Sequence, residues 1–171
     1  MNAQDFAIQP ANARQVWLLP AFAMVAAVVG ISVLLADEPK AWIGLPVILG
    51  SLVLIALVFR RRRVSLGNGM LTVAAGLNTR RVATGELDLA TARVVDLRER
   101  TELKPVLKLF GTRVPGLSMG HFRLRDRSRA FVLLTDASRV LVLNEHSGHR
   151  LLLSLDRPQA LLDALQAAQR H

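Results

Sequence analysis

Two long apolar runs open the chain, and shorter alternating ones follow. Residues 16–36 carry no charged side chain over 21 positions, and residues 41–59 carry none over 19. As helices these runs would extend roughly 32 and 28 Å, close to the ~30 Å hydrocarbon core of a bilayer. Asp37-Glu38-Pro39-Lys40 lies between them as a polar turn (residues 37–40). Trp17 and Trp42 stand near the start of each run, where indole rings favour the headgroup zone. The pattern predicts a two-helix transmembrane hairpin over residues 16–59. Arg60, Arg61, Arg62 and Arg63 follow it directly, a basic juxtamembrane cluster that would stay on the cytoplasmic side. The expected location is therefore integral to the cytoplasmic (inner) membrane of a bacterial cell. Residues 1–15 would form a cytoplasmic tail, both termini would be cytoplasmic, and membrane lipids would be permanent partners. A cleaved signal peptide fits less well, because the first run exceeds the usual h-region of about 7–15 residues and lacks a charged n-region. Neither run holds an ionisable side chain, which argues against a transporter or pump.

From residue 64 the period shortens to that of strands. Residues 64–66 and 70–74 flank Gly67-Asn68-Gly69, a strong hairpin signal. Residues 81–84 and 92–97 are further strand candidates. Residues 98–119 are charged and punctuated by Pro105, Gly111, Pro115 and Gly116, which predicts a long connection with some extended structure. Strands at 120–125, 130–135, 139–143 and 150–155 then start about every ten residues, a spacing that predicts a meander in a sandwich or barrel. Asp156 offers an N-cap and Pro158 a first turn for a closing helix, whose stripe is Leu161, Leu162, Leu165 and Ala168. Residues 64–171 are enough for one core.

Charge sharpens this division. Residues 1–59 hold two basic and three acidic side chains, and the remaining 20 basic and 10 acidic groups follow. A basic domain is drawn to anionic surfaces. Arg123, Arg125, Arg127 and Arg129 recur at alternate positions, so one strand face would gather four guanidiniums. With Arg60, Arg61, Arg62, Arg63, Arg80 and Arg81 they are candidate contacts for an anionic lipid headgroup. Nucleic acid is not expected as a partner, because residues 64–171 contain no Tyr or Trp to stack on bases.

Phe110-Gly111-Thr112-Arg113-Val114-Pro115-Gly116, followed by Gly120-His121-Phe122, resembles a family of bacterial pleckstrin-homology (PH)-like domains, as do Thr135-Asp136-Ala137-Ser138 and the stretch from Leu151 to Pro158. The resemblance covers roughly residues 105–169. It implies a mainly-β PH-like barrel of about seven strands closed by a C-terminal α-helix, joined here to the transmembrane hairpin. It also implies a non-enzymatic module, and it implies no particular ligand. The first hairpin turn lacks the bases with which many PH domains hold phosphoinositides.

Catalytic and metal chemistry find little support. Gly111, Gly116 and Ser118 have phosphate-loop spacing, but Leu117 replaces the lysine and a strand follows. His146 and His149 share a turn with Glu145, without the four ligands a structural metal site needs. His121 alternates with Phe122 and is expected to face solvent. The chain contains no cysteine, so no thiolate site exists. The expected function is a module that needs no cofactor and docks a protein partner or its own copies. Phe110, Gly111, Thr112, Arg113, Pro115, Gly116 and Gly120 form the candidate interface. Alternatives are an anionic-lipid sensor and a membrane enzyme with an unrecognised site.

Overall fold

The computed structural model describes residues 4–8, 24–27, 29–31, 46, 49–51, 53, 57, 61–114 and 116–170. It divides into two compact units, one of Met1–Asn12 with Arg61–His171 and one of Ala13–Arg60. In the second unit, the described residues are helical, and Met24, Val25, Ile31, Leu49, Val53 and Leu57 are exposed. A bilayer crossing needs about 20 consecutive apolar residues in one helix. No helix among the described residues is long and apolar enough to cross a membrane. This overturns the two-helix transmembrane hairpin, and with it the integral inner-membrane location. Apolarity over 21 positions measures transfer free energy, not the length of helix formed. Much of 16–36 and 41–59, and the turn 37–40, lie outside the described residues.

The first unit is built from ten strands and one α-helix among the described residues. Strands β1 (Gln4–Phe6), β2 (Arg62–Gly67), β3 (Met70–Ala75) and β4 (Asn78–Ala83) form a four-stranded antiparallel sheet in that order. β1 belongs to the segment expected to be a free tail. It pairs with β2, and Arg63 reaches Asp5 at 3.8 Å. Asn68 and Gly69 both take positive φ in the β2–β3 turn, as the Asn-Gly signal predicts.

The second sheet holds β5 (Leu87–Val95), β6 (Pro105–Val114), β7 (Leu117–Leu124), β8 (Arg129–Leu134), β9 (Val140–Glu145) and β10 (Arg150–Ser154). Its spatial order is β5-β9-β10-β8-β7-β6. The expected barrel of about seven strands is therefore corrected to two sheets, and the expected meander breaks after β8. β10 inserts between β9 and β8 and runs parallel to β8. Even strand spacing sets how often the chain turns, but it does not say which neighbour each strand finds. Ser154 locks the crossing: its Oγ donates to the Asp136 carbonyl at 2.6 Å and accepts from the Asp136 N–H at 3.4 Å.

The expected connection at 98–119 is mostly strand. β6 covers ten residues, entered through a 3-10 turn at Thr101–Leu103. Pro105 is tolerated because it begins an edge strand. Gly111 lies opposite Gly120 in the β6–β7 ladder with φ of 140° and 116°. A Cβ on Gly111 would meet the Met119 carbonyl oxygen at 2.2 Å, and one on Gly120 would meet the Phe110 carbonyl oxygen at 2.4 Å. These two glycines let the backbones of β6 and β7 approach where side chains would force them apart.

The strands β8, β9 and β10 are continuous apolar runs, the signature of strands buried on both faces. One face holds Ala130, Val132, Val140, Val142 and Leu152, covered by Leu97 and Leu103 with Phe122 and Leu124 of β7. The other face holds Phe131, Leu133, Leu141, Leu143, Leu151 and Leu153, all buried. Helix α1 (Pro158–Gln169) starts with proline in its first turn, and Leu161, Leu162 and Leu165 are buried. Arg157, not Asp156, takes its N-cap, without a side-chain bond. At its far end Gln169 Nε2 donates to the carbonyls of Thr84 and Leu87 at 2.6 and 3.0 Å.

Gly111→Ala or Gly120→Ala should lower the unfolding free energy by about 2–4 kcal/mol, through strain and steric shift. Gly85→Ala, with open space at its Cβ, should change it by less than about 0.5 kcal/mol. Urea unfolding of the three variants checks this, and equal loss in all would contradict the close-approach account.

Candidate functional site

Alternation along β7 and β9 sends His121 and Glu145 to the neighbourhood of the first sheet. Arg80 of β4 comes to meet them. Its Nη2 donates to Glu145 Oε2 at 2.7 Å and its Nε to Oε1 at 3.3 Å, a two-pronged ion pair. Ser147 Oγ donates to the same carboxylate at 2.9 Å. The Glu145 side chain is 4% exposed and that of Arg80 36%, so this pair joins the sheets at the margin of the core. A pocket of about 210 Å³ lies beside it, lined by Arg80, His121, Arg129, Phe131, Glu145 and His149 among others.

His121 is half-buried, not solvent-facing. Its ring stands edge-on to Phe131 with centroids 5.0 Å apart. Burial, then the positive charge of Arg80 and the nearby His149, hold its pKa below the ordinary histidine range. His149 is half-buried, and its Nδ1 is shut off from solvent without a hydrogen-bond partner among the described residues. Arg150 pairs with Asp126. Burial pushes Asp126 up, but hydrogen bonds from Ser128 and Arg150 outweigh it and hold the carboxyl below its usual value.

The four expected arginines do not form one strand face. β7 ends at Leu124, and Arg127 takes φ of 69° in the turn. Arg123 and Arg129 face each other across the β7–β8 pair, and Arg125 and Arg127 occupy the exposed turn end. Arg80 points to Glu145 while Arg81 is exposed on the same strand. Arg61 precedes β2, Arg62 and Arg63 are already in it, and Arg60 lies outside the described residues. Half-burial lowers the pKa of Arg62.

The expected interface resolves into an edge strand. Phe110 is 64% exposed and Leu107 53%, with Val106 and Leu109 about as open. Thr112 and Arg113 continue β6, Gly116 is exposed at the turn, and Gly120 is buried against Gly111. Pro115 lies outside the described residues. Sequence reasoning missed the pocket because its members come from β4, β6, β7, β8, β9 and β10. The only local signal was Glu145, His146 and His149 in one turn.

Residues 62–169 match the family model described as the bacterial PH domain. No curated protein and no solved structure matches the chain.

Arg80→Ala should destabilise the fold by about 3 kcal/mol, because it strands a buried carboxylate; Glu145→Gln, which keeps the shape, should cost less. Reversal of that order in urea unfolding would contradict the assigned geometry. The lowered pKa of His121 sets a sign for pH as well. The unfolded chain takes up that proton first, so this contribution is present above the unfolded value of about 6.5 and is lost as pH falls towards the folded one. His121→Gln should therefore flatten the decline of stability between about pH 7 and 5, read as midpoint against pH.

Proposed function

Because the chain belongs to the bacterial PH domain family, whose members are typically non-enzymatic binding modules, we propose that it docks a protein partner along the open edge of β6. The observation that carries this reading is the character of that edge. β6 is ten residues long and, among the described residues, pairs on one side only, with β7. Its free side offers main-chain groups to an added strand. Val106, Leu107, Leu109 and Phe110 supply exposed apolar surface beside them. Single exposed apolar residues are common, but four within five positions on one edge form a patch.

Charge selects the occupant. Residues 103–125 contain no acidic side chain, while Lys104, Lys108, Arg113, Arg123 and Arg125 are basic. Pairing two copies through β6 would bring like charges together across the new ladder, which is unfavourable. A partner segment with apolar and acidic residues in alternation meets both features. Register shifts at Pro105/Leu107 and Lys108/Phe110 twist the strand. Such bulges discourage indiscriminate edge pairing, so a selective partner suits this edge better than aggregation.

The Arg123 to Arg129 hairpin end supports a second reading, contact with an anionic lipid surface, since all four guanidiniums there are exposed. The two readings separate by mutation. Leu107→Asp with Phe110→Asp should weaken partner capture from cell extracts by at least about tenfold and leave the melting temperature within a few degrees of wild type. Amide exchange should show protection of β6 in the captured complex. Equal capture by wild type and the double variant would reject the edge. A concentration-dependent dimer in sedimentation, abolished by the same variant, would replace the acidic partner by a second copy.

A further inference from the structure

The pocket beside Arg80 and Glu145 meets the apolar patch of β6 at Leu109, but its chemistry is different. We propose that it is a binding site for a small dianionic oxyanion, a phosphate monoester or its equivalent. Arg80, Arg129 and Arg150 are among its lining residues, and Arg129 lies on the strand face of Phe131 and His121. Arg80 is held by Glu145 and Arg150 by Asp126. Arg129 forms no ion pair among the described residues. Arg123 stands opposite it in the β7–β8 register and adds to the local positive charge.

His121 of β7 and His149 before β10 both line the pocket and sense each other electrostatically. The buried Nδ1 of His149 has no partner among the described residues. Buried ring nitrogens are ordinarily satisfied, so an orphan next to a cationic pocket points to a missing acceptor. Arg80, Arg129 and the neighbouring Arg123 bring three positive charges against the one carboxylate of Glu145, an excess of two. A dianion neutralises that excess, whereas a monoanion leaves half of it. Size restricts the ligand further. At about 210 Å³ the space is below the roughly 300 Å³ at which drug-sized pockets begin. One anionic group with a short stem fits, and Leu109 provides an apolar wall for that stem.

Sulfate keeps its two charges between about pH 6 and 8, so any pH dependence belongs to the protein. The full chain should be titrated with sodium sulfate at constant ionic strength, following the imidazole proton signals by NMR. The signals of His121 and His149 should shift together and saturate with a dissociation constant on the order of 1 mM. The exposed His146 serves as the internal reference. Affinity should rise on the order of threefold from about pH 8 to 6, because the anion offsets the Arg80 charge that helps to hold His121 below its ordinary range, and His121→Gln should remove that rise. Arg129→Gln, at an exposed position, should weaken binding about tenfold without unfolding. Acetate should bind at least about tenfold more weakly than sulfate.

Parallel, unsaturated shifts of all three histidines would overturn the proposal. So would unchanged sulfate affinity in Arg129→Gln, or acetate binding as tightly as sulfate. Two further arms, each supporting the site only if Arg129→Gln abolishes it, identify the source of the anion. Recruitment to vesicles of phosphatidic acid, but not phosphatidylglycerol, assigns a lipid-borne phosphomonoester. Competition by glycerol phosphate without vesicle recruitment assigns a free one.

Discussion

Burial of β8, β9 and β10 on both faces is the constraint from which the rest of this domain follows. A strand with apolar side chains on each side has to be covered twice. On one face the cover comes from Leu97 and Leu103, in the segment that leads into β6. On the other, Glu145 continues the buried alternation of Leu141 and Leu143 and ends under Arg80. A carboxylate so placed would be costly without a charge partner and hydrogen bonds. Arg80 and Ser147 supply both, and in doing so fix where the first sheet meets the second.

That arrangement also explains why the binding features lie where they do. The ordering β5-β9-β10-β8-β7-β6 places the fully buried strands inside and leaves β6 at an edge, paired with β7 alone among the described residues. The pocket opens where the ion pair crosses between sheets, because a guanidinium and a carboxylate do not interdigitate as leucines do. The edge is apolar and basic, and the pocket is cationic and polar. The two surfaces are proposed for different ligands, an acidic strand and a small dianion, and they meet at Leu109.

Much of the β-rich unit was legible in the chain. Asn68-Gly69 marked its hairpin because few sequences tolerate two successive positive φ angles. The runs at 130–135, 139–143 and 150–155 marked strands because their burial is written in their composition. Leu161, Leu162 and Leu165 marked the buried stripe of α1. The Gly111 and Gly120 positions were visible as punctuation, but their meaning was not. Glycine signals freedom from a Cβ, and the same signal serves a loop or a close ladder. Hence residues 105–114 read as a connection although they form a ten-residue strand. The apolar runs at 16–36 and 41–59 likewise read as membrane spans, since local hydropathy does not fix the length of helix that forms.

By itself the sequence determined the local conformations, the identity of the buried strands, the basic character of residues 60–171 and membership in a family of binding modules. These depend on side-chain chemistry within a few residues. Tertiary structure alone decided that β10 lies parallel to β8, that β1 joins β2, and that Arg80 finds Glu145 across 65 positions. It also decided that the arginines of 123–129 divide between two strands and a turn. The physical reason is common to all of these. Strand pairing is satisfied by main-chain groups that every residue carries, so the sequence names the strands while packing of their faces selects their neighbours.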